Sequence, residues 1–230
     1  GVDVCHEIRR TDTQKLPEHQ HLFTNSKTVA KRLWRYNRIH ADALYHPPED
    51  YEKLHCAHYG DYILVPGRLD DIKRQLLIVK ALCFVEDIQL ILIGNADTAY
   101  GNDLQQQVIL LGLQERIIIK GFVSREEKIT LYANALAVYN GAYEEDYGYV
   151  TLEAFFASKP VITHLDSGGP LEFVIDEENG FICDASAEAV ASVLNQLTPT
   201  MAKRLGESGR QLMLDLNLNW DFIIDSLLQD

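Results

Sequence analysis

Paired cysteines, long apolar runs and an excess of cations are all missing from this sequence. The four cysteines, Cys5, Cys56, Cys83 and Cys183, lie far apart and form no Cys-x-x-Cys pair, which argues against a paired-cysteine zinc site and a disulfide framework. Free thiols in a reducing cytoplasm are the expectation. His55-Cys56-Ala57-His58 gathers candidate metal ligands, but without a second ligand pair no metal is expected there. No apolar run approaches the roughly 20 residues that span a bilayer. No charged-then-apolar leader opens the chain, which begins Gly1-Val2-Asp3-Val4. No Gly-x-Gly-x-x-Gly follows an expected strand, which argues against an NAD-dependent enzyme.

What is present fits a globular α/β protein. The chain has 230 residues, 47% hydrophobic and 24% charged, enough for a sizeable core in one domain or two. Lys and Arg number 21 against 34 Asp and Glu, a net charge of −13, which speaks against a nucleic-acid partner. The charge is uneven, because residues 1–45 carry +3 and the remainder −16. Lys27, Lys31, Arg32, Arg35 and Arg38 recur at helical spacing beside Val29, Leu33 and Trp34. They make an amphipathic basic helix, which is either a solvated face or a contact for an anionic acceptor or membrane surface.

The order of elements is regular from residue 62. Leu22–Thr24 reads as a short strand, Asn25 or Ser26 as the cap of the basic helix, and Ala43–Pro48 as an extended connector. Strands are expected at Tyr62–Val65, Gln89–Ile93, Arg116–Lys120, Leu136–Tyr139 and Val161–His164. Helices are expected at Lys73–Glu86, Asp103–Leu111, Arg125–Ala135, Tyr149–Ser158, Ala187–Leu197 and Trp220–Leu228. Ser124-Arg125-Glu126-Glu127 is a capping box. The strands are continuous apolar runs, as in a parallel sheet covered by helices on both faces. The alternation implies a doubly wound, Rossmann-like parallel sheet, whose ligands bind beyond the carboxyl ends of the strands.

Three strand ends carry ligand-type chemistry. Gly67-Arg68-Leu69 with Lys73 follows the first strand. Its two cations suit a diphosphate, Arg through a bidentate grip and Lys as a point charge. Glu145-Asp146-Tyr147-Gly148 precedes the helix that carries Glu153. Helix starts favour phosphate, and carboxylates accept hydrogen bonds from diols. Ser167-Gly168-Gly169-Pro170 follows the strand at Val161–His164.

In order and spacing these motifs resemble the C-terminal, donor-binding half of retaining GT-B glycosyltransferases, the group 1 family, over nearly the whole chain. The resemblance implies residues 1–44 as the end of an N-terminal domain with its connector, and 45–230 as a nucleotide-sugar-binding domain including the closing helices. It implies that Arg68, Lys73 and Glu145 are catalytic, the cations on the leaving diphosphate and Glu145 on the transferred sugar. Gly67, Phe122, Val123, Gly148, Tyr149, Val150, Thr151 and Glu153 would bind the donor. Glu153 would take the ribose diol, the amides of Tyr149, Val150 and Thr151 the distal phosphate, and Gly121–Val123 the base. The donor would be UDP- or GDP-linked, without a metal or cofactor. The acceptor would be a carbohydrate or a lipid-linked glycan, met in the cytoplasm or at the inner membrane face.

Two departures qualify the resemblance. Asp146 stands where the family usually has Gly, adding negative charge beside the sugar and restricting the loop. The residues before the second domain are also too few for a domain of ordinary size, and none of His6, His19 or His21 matches the family's catalytic histidine. A longer protein with an N-terminal domain upstream is therefore expected. A non-catalytic nucleotide-binding module and a GT-B nucleotide-sugar epimerase remain alternatives.

Overall fold

The computed structural model describes residues 2–19 and 21–228. Two compact units emerge, Gly1–Pro47 with Leu218–Asp230, and Pro48–Asn217. The sequence reading drew the division after residue 44 and kept the last helix in the second domain. By compactness the division falls after Pro47, and the last helix belongs to the first unit.

The first unit opens with α1 (Val2–Lys15), β1 (Phe23–Thr24), α2 (Lys27–Asn37) and β2 (Asp42–Ala43). Helix α1 was not expected, because its described side chains are nearly all exposed and offer no apolar stripe to read. Asn37 joins it to α2, donating from Nδ2 to the Arg9 carbonyl (3.1 Å) and to Thr13 Oγ1 (2.9 Å). Ser26 is the N-cap of α2, its Oγ accepting the Val29 N–H at 3.0 Å.

The second unit holds β3 (Tyr62–Pro66), α3 (Gln75–Ala81), β4 (Gln89–Ile93), α4 (Ala99–Leu110), β5 (Ile117–Gly121) and α5 (Arg125–Asn134). It continues with β6 (Ala137–Tyr139), α6 (Tyr149–Phe156), β7 (Val161–His164), β8 (Gly180–Cys183), α7 (Ala187–Gln196) and α8 (Pro199–Asp215). Helix α9 (Trp220–Leu228) belongs to the first unit. All neighbours in the six-stranded sheet are parallel, in the order β5-β4-β3-β6-β7-β8. The order reverses between β3 and β6, and that switch point opens a crevice at their carboxyl ends.

The central strands are buried on both faces, with Ile63, Leu64, Leu90, Leu92, Val138 and Ile162 at zero exposure. Burial of each such side chain stabilises the fold by about 1.5–3 kcal/mol. Strand β5 departs from the expectation of uniform burial: it is an edge strand, and its residues alternate between buried and open, Ile118 being exposed. The edge strand β8 was missed, being a short run after the Glu177-Glu178-Asn179 turn. The capping box forms by half. Ser124 Oγ accepts the Glu127 N–H (3.1 Å), while the Glu127 carboxylate turns to Lys120 (2.6 Å).

The helix expected over Lys73–Glu86 is broken. A 3-10 turn runs over Asp71–Lys73, Arg74 takes a left-handed conformation (φ 56°), and α3 starts at Gln75. Asp70 caps the turn, its Oδ1 accepting the Lys73 N–H at 3.0 Å. Helix α6 is sunk in the unit, with Leu152, Ala154 and Phe155 fully buried. Helix α8 approaches it closely at Gly206 and Gly209. A Cβ at Gly206 would stand 2.0 Å from the Ser158 carbonyl oxygen, and one at Gly209 would stand 2.4 Å from the Phe155 ring.

Candidate functional site

Strands β3, β4 and β5 are laced together at their carboxyl ends by glycine. Gly67 N–H donates to the Ile93 carbonyl (3.0 Å) and Gly94 N–H to that of Gly121 (2.9 Å). Gly94 has φ 146°, and a Cβ on it would lie 1.9 Å from the Gly67 oxygen, so only glycine lets the two strand ends approach this closely. Gln75, fully buried, donates from Nε2 to the Arg68 carbonyl at 2.7 Å and fixes the loop from behind. The Arg68 side chain itself is 79% exposed, with Nη2 3.5 Å from Asp70 Oδ2.

A cavity of about 560 Å³ lies over these strand ends. Seven of the expected residues, Gly67, Arg68, Phe122, Val123, Tyr149, Val150 and Glu153, line it, together with Asn95 and Lys128. Phe122 is 82% exposed at its mouth. Gly148 and Thr151 do not line the cavity. Gly148 supplies the left-handed turn (φ 85°) that starts α6. The Thr151 N–H, expected to face a phosphate, donates instead to the Gly148 carbonyl (2.9 Å), closing the first turn of the helix. The Thr151 hydroxyl is buried and accepts from Asn140 Nδ2 (3.1 Å). Tyr149 and Val150 are left as the helix-start residues that reach the cavity.

Glu153 is 7% exposed and held on both oxygens. Lys128 Nζ donates to Oε1 at 2.6 Å and the Tyr132 hydroxyl to Oε2 at 2.7 Å. Tyr132 is fully buried, and burial first, then the Glu153 charge, pushes its phenol well above its ordinary value. It therefore stays a proton donor to the carboxylate. Sequence reading missed both donors. They lie four residues apart on α5, the spacing that puts two side chains on one helix face, and that spacing was the available signal.

Lys73 and Glu145 lie outside the cavity lining and pair with each other, Lys73 Nζ against Glu145 Oε2. The Glu145 loop is built on the segment after β7. Glu144 N–H donates to the Asp166 carbonyl (3.0 Å), Glu145 N–H to that of Ser167 (2.9 Å), and Gly169 N–H to that of Glu145 (2.8 Å). The glycine pair is required by this contact. A Cβ at Gly168 (φ 74°) would be 2.6 Å from the Glu145 oxygen, and one at Gly169 would be 2.6 Å from the Asp146 oxygen. Tyr147, 2% exposed, anchors the loop edge-on against Phe173. Asp146 is exposed and lies outside the left-handed region. The backbone there makes no demand for glycine.

Arg74 and Asp166, also missed, form a bidentate ion pair at 2.7 and 2.8 Å. The Asp166 hydrogen bond raises the Arg74 pKa, and the Arg74 hydrogen bond lowers that of Asp166. No group of three His, Cys, Asp or Glu side chains is arranged as metal ligands among the described residues. Cys56, within the early candidate cluster, accepts from the buried Lys159 instead (3.2 Å).

Comparison with known proteins places this geometry. The structure resembles that of Anabaena Alr3699/HepE in complex with UDP and glucose, with a TM-score of 0.81 at 19% identity over 95% of this chain and 66% of that one. It also resembles the C-terminal domain of the glycosyl transferase group 1 family protein LpcC from Francisella tularensis, with a TM-score of 0.61 at 23% identity over 74% of this chain and 94% of that one. These likenesses establish the GT-B α/β fold. In sequence the chain is 29% identical over 138 residues to alpha-1,3/1,6-mannosyltransferase ALG2 of Dictyostelium discoideum, covering 56% of this chain and 33% of that protein. The chain spans about one third of the length of the curated relatives it matches first. Residues 48–212, most of the chain and nearly all of its sheet-bearing unit, match the glycosyl transferases group 1 family, to which this protein belongs.

Proposed function

We propose that this chain carries the donor site of a retaining glycosyltransferase that moves a hexosyl group from a UDP- or GDP-linked donor to a carbohydrate or lipid-linked acceptor. The observation that carries this reading is the cavity over the carboxyl ends of β3, β4 and β5, where an exposed arginine, a helix start and a doubly held carboxylate converge. Arg68 would take the diphosphate, supported by Lys73. Tyr149 and Val150 would meet the phosphate at the positive end of α6. Glu153 would accept from the ribose hydroxyls, and Gly121–Val123 would lie along the base. Arg68 and Lys73 would offset the charge that develops on the leaving diphosphate, the kind of electrostatic term that dominates such chemistry. In this reading they and the helix start stand where a metal would otherwise be needed. Glu145 would contact the sugar in a front-face displacement. The mannosyltransferase relatives support a hexosyl donor, and the UDP complex of a protein of the same fold supports a nucleotide in this crevice. The basic face of α2 would be offered to an anionic acceptor, or at the inner face of the membrane that bears it, with the rest of the enzyme supplied by an N-terminal domain.

Titration calorimetry with UDP, GDP and ADP tests the reading. At least one should bind, and failure of all three at millimolar concentration would sink it. Arg68→Ala should weaken the diphosphate by about tenfold or more, as for loss of a charge-assisted pair, while leaving the parent nucleoside little changed. Equal losses for both would remove Arg68 from the phosphate. Glycoside formation, as opposed to an isomerised sugar nucleotide, separates transfer from epimerisation.

A further inference from the structure

The Lys73–Glu145 pair is held from both sides by one residue. The Asp166 carboxylate grips Arg74, the neighbour of Lys73, through two bonds of 2.7 and 2.8 Å. The Asp166 carbonyl accepts the N–H of Glu144, the neighbour of Glu145, at 3.0 Å. A second bond crosses the same gap, from Tyr143 N–H to the Ile72 carbonyl at 2.8 Å, and the Arg74 guanidinium lies 5.0 Å from the Tyr143 ring centre. Arg74 and Glu144 both have positive φ, 56° and 46°. Each such non-glycine residue costs backbone energy, and the surroundings must over-determine it. Strained backbone therefore adjoins both members of the pair, and Asp166 binds both strained residues.

We infer that Arg74 and Asp166 are positioning residues for the sugar end of the donor site, setting the reach of Glu145 without touching the diphosphate themselves. The inference rests on the donor-binding reading above. A purely structural ion pair would tie β7 to the α3 segment anywhere along their lengths. This one sits where a small displacement would move the group proposed to meet the sugar, and displacements of about 1 Å are costly at such places.

The test measures, in the full chain, the ratio of dissociation constants for a sugar nucleotide and its diphosphate: UDP-glucose against UDP, and GDP-mannose against GDP. Two variants are compared, Arg74→Gly, where glycine takes the positive φ without strain, and Asp166→Asn, which keeps the shape but drops the charge. Each should shift the ratio by about fivefold or more while leaving the diphosphate constant within about twofold and the folded structure, judged by circular dichroism, like that of the parent. The double variant should shift it no further than either single change, because the two act as one unit. An unchanged ratio in both variants, an equal loss of diphosphate and sugar nucleotide, or additive shifts would each overturn the inference and leave the donor-binding reading standing. Absence of diphosphate binding by the parent chain would overturn that reading and this inference with it.

Discussion

At the scale of single residues, the site is governed by what each carboxylate is bonded to. Glu153 accepts from the fully buried Tyr132, so Tyr132→Phe would leave one oxygen without its donor and free the side chain to turn. The cost of such a lost bond is about 1–3 kcal/mol. Nucleoside diphosphate affinity measured by calorimetry should fall accordingly, with the base and phosphate contacts untouched. Asp166 makes a pH prediction. Its folded carboxyl is held below the ordinary 3.8 by Arg74, so its contribution to stability is fully present above that value and is lost as pH falls through the lowered folded pKa. The stability gap between the parent and Asp166→Asn in urea unfolding should be present at neutral pH and close in strong acid. Arg68, Lys73, Glu145 and Glu153 were legible because their residue types and spacing follow strand ends. Lys128, Tyr132, Arg74 and Asp166 were not, since each acts through a partner more than 20 residues away in the chain. Only folding brings such residues together.

At the scale of elements, close backbone approach explains most of what sequence patterning left out. The apolar runs located the inner strands well, because strands buried on both faces have few alternatives. Strand β8 and helix α8 were harder, one too short and the other packed through glycine. The Gly206 and Gly209 notch lets α8 rest against the end of α6. Gly206→Ala should cost about 1–3 kcal/mol as an overpacking change, because the obstructing atom is a backbone carbonyl and cannot rotate away. Thermal unfolding would register it, and nucleotide affinity should suffer as well, since α6 carries Glu153. The broken helix at Arg74 teaches the reverse lesson. The helical expectation over 73–86 holds for Gln75–Ala81, followed by a 3-10 turn to Phe84, while the tertiary ion pair and the Asp70 cap override it at Lys73 and Arg74.

At the scale of the whole molecule, charge and linkage make the predictions. A nucleotide present at a hundred times its dissociation constant should stabilise the folded state by about 2.7 kcal/mol. For a chain of this length that raises the unfolding midpoint by about 5–10 °C. Ranking UDP, GDP and ADP by thermal shift would identify the preferred base. Lys27, Lys31 and Arg35 share the exposed face of α2 with Trp34, and exposed Arg38 follows as its C-cap, in a chain whose net charge is −13. Binding to phosphatidylserine vesicles in sedimentation should be detectable at low salt, weaken as ionic strength rises, and fall on reversing Lys31 and Arg35 to Glu. Among the described residues no helix is long and apolar enough to cross a membrane.

The doubly bonded Glu153 has one more implication. In the proposed reading a ribose diol would compete with Lys128 and Tyr132 for this carboxylate, each of which takes one of its oxygens. Paired in this way, the Lys128 ammonium charge is partly offset, and Arg68 is the more open cation on the cavity wall. A nucleotide would unmask the cation as it binds, so that the sugar moiety of the ligand admits the charge that its phosphates then meet. A simple anion, lacking the diol, would meet Arg68 without that second cation.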